Sequence, residues 1–199
     1  MPKRVLVLFA HPVPRRSRVN RRLLAAIQGI EGVHVRDLYA EYPDLDIDVE
    51  REKELLVEHD VLVWQHPFYW YSTPAILKEW QDLVLEFGWA YGPGGTALEG
   101  KSFLQVITTG GREEAYQPEG FNRYRITELL APVHQTVRLC HMKAFPPFVV
   151  HGTHRMTEPE IESHARDYRR VVVALTEGRL TAGAYEGRLN ADVRSLLGG

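Results

Sequence analysis

Val5-Leu6-Val7-Leu8-Phe9 runs without a polar break into His11-Pro12. A continuous apolar run bounded by a turn is what a strand buried on both faces requires, as strands of parallel sheets are. Two further runs share that design. Val61-Leu62-Val63-Trp64 runs into Gln65-His66-Pro67-Phe68-Tyr69-Trp70-Tyr71, and Leu104-Gln105-Val106-Ile107 runs into Thr108-Thr109-Gly110-Gly111. The first loop carries Ser17 and Asn20 just before a helix, the second offers aromatic rings, and the third offers close backbone N–H groups.

Helical periodicity fills the gaps between strands. Lys3–Phe9 predicts the first strand, and Leu23, Leu24 and Ile27 give a helix that Gly29 and Gly32 end. His34–Leu38 predicts the second strand, and Val49–His59 a polar helix with few core positions. Val61–Gln65 is the third strand, followed by an amphipathic helix over Ala75–Phe87 with Ile76, Leu77, Trp80, Leu83 and Val84 inward. Gly88–Gly100 reads as a long excursion, Ser102–Thr108 as the fourth strand, and Phe121–Leu139 as a helix interrupted near Pro132. Phe148-Val149-Val150 lies in the fifth strand, and Glu158–Thr176 is the closing helix. Five alternations of strand and helix predict an α/β domain over 1–176, a doubly wound parallel sheet with right-handed crossovers. The three ligand-like loops follow strands one, three and four, which selects the flavodoxin-like order 2-1-3-4-5. Residues 177–199 read as a C-terminal tail, disordered or docked on a partner.

Ligands of open parallel sheets bind beyond the carboxyl ends of the strands. A helix N-terminus with hydroxyl and amide, aromatic rings and exposed amides together suit a flat, phosphorylated, redox-active molecule, and flavin mononucleotide (FMN) fits best. Each element also has a plainer reading. Ser17 or Asn20 serves equally as a helix cap, and Arg15, Arg16 and Arg18 either guide an anion or form a solvated basic edge. Core packing explains one or two of Phe68, Tyr69, Trp70 and Tyr71; the others need a ring or a partner chain to cover them. Thr108-Thr109-Gly110-Gly111 is either a tight turn or a set of donors for the negative charge that flavin reduction brings.

Composition narrows the alternatives. The 199 residues are 44% hydrophobic and 25% charged with a net charge of −2, so no global field draws nucleic acid or anionic lipid. One cysteine, Cys140, excludes an internal disulfide and a thiolate zinc cluster within one chain. No apolar run approaches a membrane span, and Met1-Pro2-Lys3-Arg4 leads straight into a strand with no signal peptide, so a cytoplasmic protein is expected. Gly95-Thr96-Ala97-Leu98-Glu99-Gly100-Lys101-Ser102 matches the P-loop pattern but opens a strand instead of a helix, which rules out its phosphate-cradling use. His151 and His154 have no acidic residue at ligand spacing, and no metal site is expected.

Taken together the motifs resemble the flavodoxin-like NAD(P)H:quinone oxidoreductases from about Lys3 to Leu175. They are His11-Pro12 with Ser17 and Asn20, Gln65-His66-Pro67 through Trp70-Tyr71, Pro74-Ala75-Ile76-Leu77-Lys78, Gly88-Trp89-Ala90-Tyr91-Gly92, and Gly100-Lys101 leading to Thr108-Thr109-Gly110-Gly111. Asp37-Leu38-Tyr39, Tyr42-Pro43-Asp44, Trp64-Gln65-His66-Pro67, Trp70-Tyr71-Ser72 and Gly94-Gly95-Thr96-Ala97-Leu98 look like one branch, the ancillary subunits of bacterial glutathione-gated potassium efflux systems.

The resemblance implies a homodimer with one FMN per chain and active sites at the dimer interface. It places the phosphate with His11, Ser17, Arg18, Val19 and Asn20, and the isoalloxazine against Pro67, Phe68, Tyr69, Trp70 and Tyr71. Thr108, Thr109, Gly110 and Gly111 come to its polar edge, with Tyr116 assisting and Asn122 standing where animal enzymes carry a histidine. Trp89 and Tyr91 match a segment lining the partner chain's substrate pocket. The implied reaction is two-electron, ping-pong hydride transfer from NAD(P)H to a quinone or related electrophile. A potassium efflux antiporter is the implied partner, which would hold the protein at the inner membrane. The alternative is a non-catalytic, flavin-binding regulatory subunit. An electron carrier is disfavoured, because the aromatic segment builds a pocket where a carrier exposes the flavin edge.

Overall fold

The structure is a computed structural model that describes residues 2–180, 182 and 192–197. In chain order its strands are β1 (Val5–Phe9), β2 (Val33–Asp37), β3 (Val61–Pro67), β4 (Ser102–Thr108), β5 (Lys143–Ala144) and β6 (Phe148–Val150). Its helices are α1 (Arg18–Ile27), α2 (Leu38–Glu41), α3 (Val49–Glu58), α4 (Ala75–Val84), α5 (Ile126–Leu129), α6 (Ala131–Leu139) and α7 (Glu158–Thr176). The sheet is parallel in the order β2-β1-β3-β4-β5, with β6 also on β4. The flavodoxin-like order read from the sequence is therefore the order observed.

Uniformly apolar strands conceal an alternation that assigns residues to the two faces. Leu6, Leu8, Leu62, Trp64 and Phe103 pack under α3, α4 and α6, with Trp64 edge-on to Trp80 and Phe103 at 6.0 and 5.0 Å. Val5, Val7, Val61, Val63, Leu104 and Val106 pack under α1 and α7. Sheet pleating sends neighbours to opposite faces. Both faces are covered, so along β1 and the first four residues of β3 no polar residue marks the alternation. Ser17 caps α1 by accepting from the Asn20 N–H at 3.1 Å, and α7 opens with a Thr157–Glu160 capping box.

Four expectations need correction. The fifth strand is split, because Pro146 and Pro147 bring no N–H donor; β5 pairs with the start of β4 and β6 with its end. Helix begins at Ile126 and not Phe121, after a chain reversal in which Arg123 has φ +61°. The amphipathic helix closes at Val84 instead of Phe87, and Leu83 faces solvent. The helix read as polar holds a wholly buried carboxylate, Glu52.

The glycine-rich excursion does open a strand: Ser102 starts β4, and Lys101 Nζ donates to the carbonyls of Val57 and His59 at the end of α3. Within the expected tail, residues 192–197 include a short helical turn, Val193–Leu197, that packs on this chain's own core. Residues 181, 183–191 and 198–199 of that tail lie outside the described residues.

Candidate functional site

Register brings three loops to one end of the sheet. Phe9 pairs with Gln65, and Pro67 with Thr108, so the chain leaves β1, β3 and β4 side by side. The Ala10 N–H donates to the Gln65 carbonyl at 3.0 Å, and the Phe68 N–H to that of Thr108 at 2.8 Å. Backbone hydrogen bonds thus fix where each loop begins.

The first loop ends in the N-terminus of α1. The amides of Arg18 and Val19 occupy its first two positions and have no acceptor among the described residues; such orphan donors and the helix dipole favour an anion. Asn20 is buried. Its Nδ2 donates to Thr108 Oγ1 at 2.7 Å, its carbonyl accepts from Gln65 Nε2 at 3.1 Å, and its Oδ1 has no partner. His11 is buried beside Tyr69 and accepts the Val13 N–H on Nδ1 at 3.1 Å. Burial lowers its pKa, which favours the neutral ring. These groups line a cavity of about 580 Å³ with Pro67, Phe68, Thr108, Gly110, Thr153 and His154. The arginines Arg16 and Arg18 lie on its wall and no carboxylate does, although Glu158 engages the Arg18 guanidinium from α7.

The aromatic loop is wound tightly. Tyr69-Trp70-Tyr71-Ser72 closes with Ser72 N–H to Tyr69 O at 2.9 Å, with φ +49° at Trp70 and +61° at Tyr71. Asn-Gly is the usual choice for two successive positive φ angles. Side chains there cost of order 1 kcal/mol or more each. Phe68 turns into the core, whereas Trp70 is 93% exposed and Tyr69 and Tyr71 are about half exposed. A second cavity of about 360 Å³ adjoins the first across Phe68 and is lined by Trp70, Tyr71, Gly111, Tyr116, Phe121 and Asn122.

Between the cavities lies the turn after β4. The amides of Gly110 and Gly111 donate to no acceptor among the described residues. A Cβ on Gly110 would sit 2.4 Å from His154 Nε2, and one on Gly111 would press on the Tyr116 ring. Tyr116 is buried among Phe68 and His151, and burial raises the pKa of its hydroxyl, which keeps it protonated. Asn122 accepts from the Tyr71 hydroxyl at 3.1 Å, while the imidazole beside Tyr116 is His151, from the loop after β6.

Beneath the site, His66 Nδ1–H donates to the Pro67 carbonyl at 2.8 Å, and Nε2 accepts from Gln105 Nε2 at 3.1 Å. This neutral tautomer joins the outgoing ends of β3 and β4. Complete burial lowers the His66 pKa to about 4. The unfolded chain, at about 6.5, binds a proton first as pH falls. Stability is then whole above pH 6.5 and declines by roughly 3 kcal/mol towards pH 4 from this group. Urea titrations across that window measure the decline, and His66→Gln should flatten it; equal slopes would refute the assignment.

The sequence-derived residues His11, Ser17, Arg18, Val19, Asn20, Pro67, Phe68, Tyr69, Thr108 and Gly110 meet in the larger cavity, and Trp70, Tyr71, Gly111 and Tyr116 in the smaller. Thr109 lies between them, bonded to Gly111 O and His151 Nδ1. Trp89 and Tyr91 line neither cavity; they pack against the α3–α4 side of the core, with Lys53 Nζ over the Trp89 ring at 5.5 Å. His151, Thr153 and His154 are the additions. Their pattern carries a signal only as two histidines after a strand, which spacing alone does not connect to the other loops.

Residues 3–172 match a protein-family model described as having a flavodoxin-like fold. The glutathione-regulated potassium-efflux system ancillary protein KefG of Pectobacterium carotovorum subsp. carotovorum (strain PC1) is 49% identical over 167 residues, which span 84% of this chain and 91% of that protein. Among solved structures, general stress protein 14 of Treponema denticola, in complex with FMN, superposes with a TM-score of 0.83 at 38% identity, over 86% of this chain and 99% of that one. An NADPH-quinone reductase from P. pentosaceus gives a TM-score of 0.77 at 30% identity, over 84% and 96%.

Proposed function

This chain belongs to the flavodoxin-like family of NAD(P)H quinone reductases and KefG ancillary proteins, and from that premise we propose that it is an FMN-dependent NAD(P)H:quinone oxidoreductase. The observation that carries the reading is the cradle at the start of α1. Free amides at Arg18 and Val19 and the arginine-lined wall suit a phosphate, and buried Asn20, whose Oδ1 has no partner, stands beside them. A half-turn of the Asn20 amide would let the Thr108 hydroxyl donate to Oδ1 and turn Nδ2 into a donor for the anion. The FMN-bound relative of known structure adds support.

FMN, held by Ser17, Arg18, Val19 and Asn20, would supply the two-electron hydride chemistry of a ping-pong exchange between NAD(P)H and a quinone or similar electrophile. This chain's part is to bind, orient and stabilise. Pro67, Phe68 and Tyr69 would wall the ring, and Gly110 and Gly111 would offer their free amides to it. Glycine is needed at Gly110 because a Cβ would collide with His154. The Tyr116 hydroxyl serves as an auxiliary donor. Trp70, Tyr71 and Phe121 give the flat acceptor an apolar cleft.

Trp89 and Tyr91, apart from both cavities here, are proposed to reach the site of a second copy in a homodimer. The KefG relatives support a further role as an ancillary subunit of a potassium-efflux system, working beside a membrane partner. No helix among the described residues is long and apolar enough to cross a membrane. A purely regulatory subunit, with FMN as a structural ligand, is the second reading, and the same relatives favour it.

The deciding experiment is a visible spectrum of purified protein, then anaerobic NADPH, then menadione. Flavin bands that bleach and return are expected. Bands that never bleach would favour the regulatory reading, and failure to take up FMN would refute both. Tyr116→Phe is expected to slow reduction of the bound flavin about tenfold while FMN affinity changes little, the worth of one hydrogen bond to developing charge. Unchanged reduction kinetics, by stopped flow, would remove Tyr116 from the mechanism.

A further inference from the structure

The loop that leaves β6 closes the site, and the end of the chain holds that loop in place. β6 pairs with β4 on its inner side. On its outer side, Val149 presents an N–H and a carbonyl where no strand lies among the described residues. Two side chains satisfy them. The Val149 N–H donates to Asp192 Oδ2 at 3.2 Å, and Arg194 Nη2 donates to Val149 O at 2.9 Å.

The clamp itself is tightly built. Arg194 and Asp192 form a two-pronged pair, Nε to Oδ1 at 2.9 Å and Nη2 to Oδ2 at 2.8 Å. Arg194 Nη1 reaches His164 Nδ1 on α7 at 2.7 Å, and the guanidinium lies 4.7 Å over the Phe148 ring. Between them Val193 is fully buried, and its N–H donates to Pro147 O at 3.1 Å. A forked guanidinium–carboxylate pair thus replaces a neighbouring strand.

From Val149 the constraint runs into the site within a few residues. His151 Nδ1 is 3.1 Å from Thr109 Oγ1. The Gly152 N–H donates to Gly111 O at 2.8 Å, while the Thr153 N–H and Oγ1 both donate to Thr109 O, at 3.0 and 3.1 Å. The carbonyls of Thr109 and Gly111 are therefore tied to loop 151–154, and the amides of Gly110 and Gly111 are left for a ligand. A three-residue outer strand is prone to fray unless held.

We propose that Asp192 and Arg194 are positioning residues of this site: by fixing Val149 they fix loop 151–154 and, through it, the turn 108–111. They lie beyond the residues that the family model matches. The inference deepens the flavin reading and rests on it for the ligand, although the mechanical coupling has its own readout.

The test compares wild type with Arg194→Ala and Arg194→Lys. Three quantities are measured: FMN dissociation constant by fluorescence, Tm without FMN, and amide hydrogen exchange at Gly152 and Thr153. Arg194→Ala is expected to weaken FMN about tenfold and to speed exchange at both amides, out of proportion to any loss in Tm. Lysine should restore less than half of the loss, since a point charge makes no fork. If Arg194→Ala does not fold, Asp192→Asn keeps the shape and is expected to shift both readouts the same way. Affinity within about twofold of wild type and unchanged exchange, with Tm lowered, would overturn the proposal and leave only a guard on the sheet edge. A wild-type protein that takes up no FMN refutes the flavin reading; exchange at Gly152 and Thr153 then still decides the coupling.

Discussion

Replacing Glu52 with alanine is expected to destabilise the fold by about 3–5 kcal/mol, the cost of breaking a buried ion pair from one side. The Glu52 side chain is fully buried on α3. Its Oε1 accepts from Arg36 Nη2 at 2.7 Å and from the Tyr42 hydroxyl at 2.8 Å, and its Oε2 from Trp80 Nε1 at 2.9 Å. One carboxylate thereby joins β2, α3, α4 and the loop after α2. Alanine would strand Tyr42 and Trp80 donors in the core and leave the nearly buried Arg36 with the exposed Glu41 at 2.9 Å as its carboxylate, beside the neutral Tyr42 hydroxyl at 3.0 Å. Glu52→Gln preserves the shape and is expected to cost less. Arg36→Met combined with Glu52→Leu should recover only part of the loss, because it spares the desolvation of two charges but still leaves the Tyr42 and Trp80 donors without an acceptor. Urea unfolding curves of these variants measure each term. A Glu52→Ala protein within about 1 kcal/mol of wild type would mean that the cluster is open to water and contributes little.

Glu52 also shows where sequence pattern stops informing. Helix α3 reads as polar because its residues are polar, and only the approach of Arg36, Tyr42 and Trp80 from three other elements gives a carboxylate a buried home. The strands are legible for the opposite reason. Covering both faces of the sheet makes Val5–Phe9 and Val61–Trp64 continuously apolar, and that composition survives without knowledge of partners. The loops after β1, β3 and β4 are legible through glycine, proline and aromatic residues, whose backbone preferences are local. His151, Thr153 and His154 are not, since loop 151–154 is held at the site by bonds from His151, Gly152 and Thr153 to Thr109 and Gly111 more than forty positions earlier, and no local period encodes those. The hook at Asp192 and Arg194 lies further still from any pattern: a short charged segment signals surface until Val149 is seen without a neighbouring strand. Leu83 misleads in reverse. It keeps the helical spacing of its core neighbours, but sits in the last turn of α4, where the helix ends before that face is covered.

Asn20→Asp is expected to raise the FMN dissociation constant by about 100-fold or more, since like charges brought together in a buried site cost several kcal/mol. The substitution keeps every heavy atom's position and exchanges the amide for a carboxylate beside the free amides of Arg18 and Val19. In the free protein that change is mild, because the new charge faces the N-terminus of α1 and can accept from the Thr108 hydroxyl, whose oxygen lies 2.7 Å from Asn20 Nδ2. With a phosphate present it repels. The same variant offered riboflavin, which has the ring but no phosphate, should lose far less affinity than it loses towards FMN. Fluorescence titrations with both ligands separate the two effects. An equal loss for FMN and riboflavin would show that Asn20 supports the loop and does not face the phosphate. No loss for either would remove the start of α1 from the site altogether, and with it the observation on which the flavin reading rests.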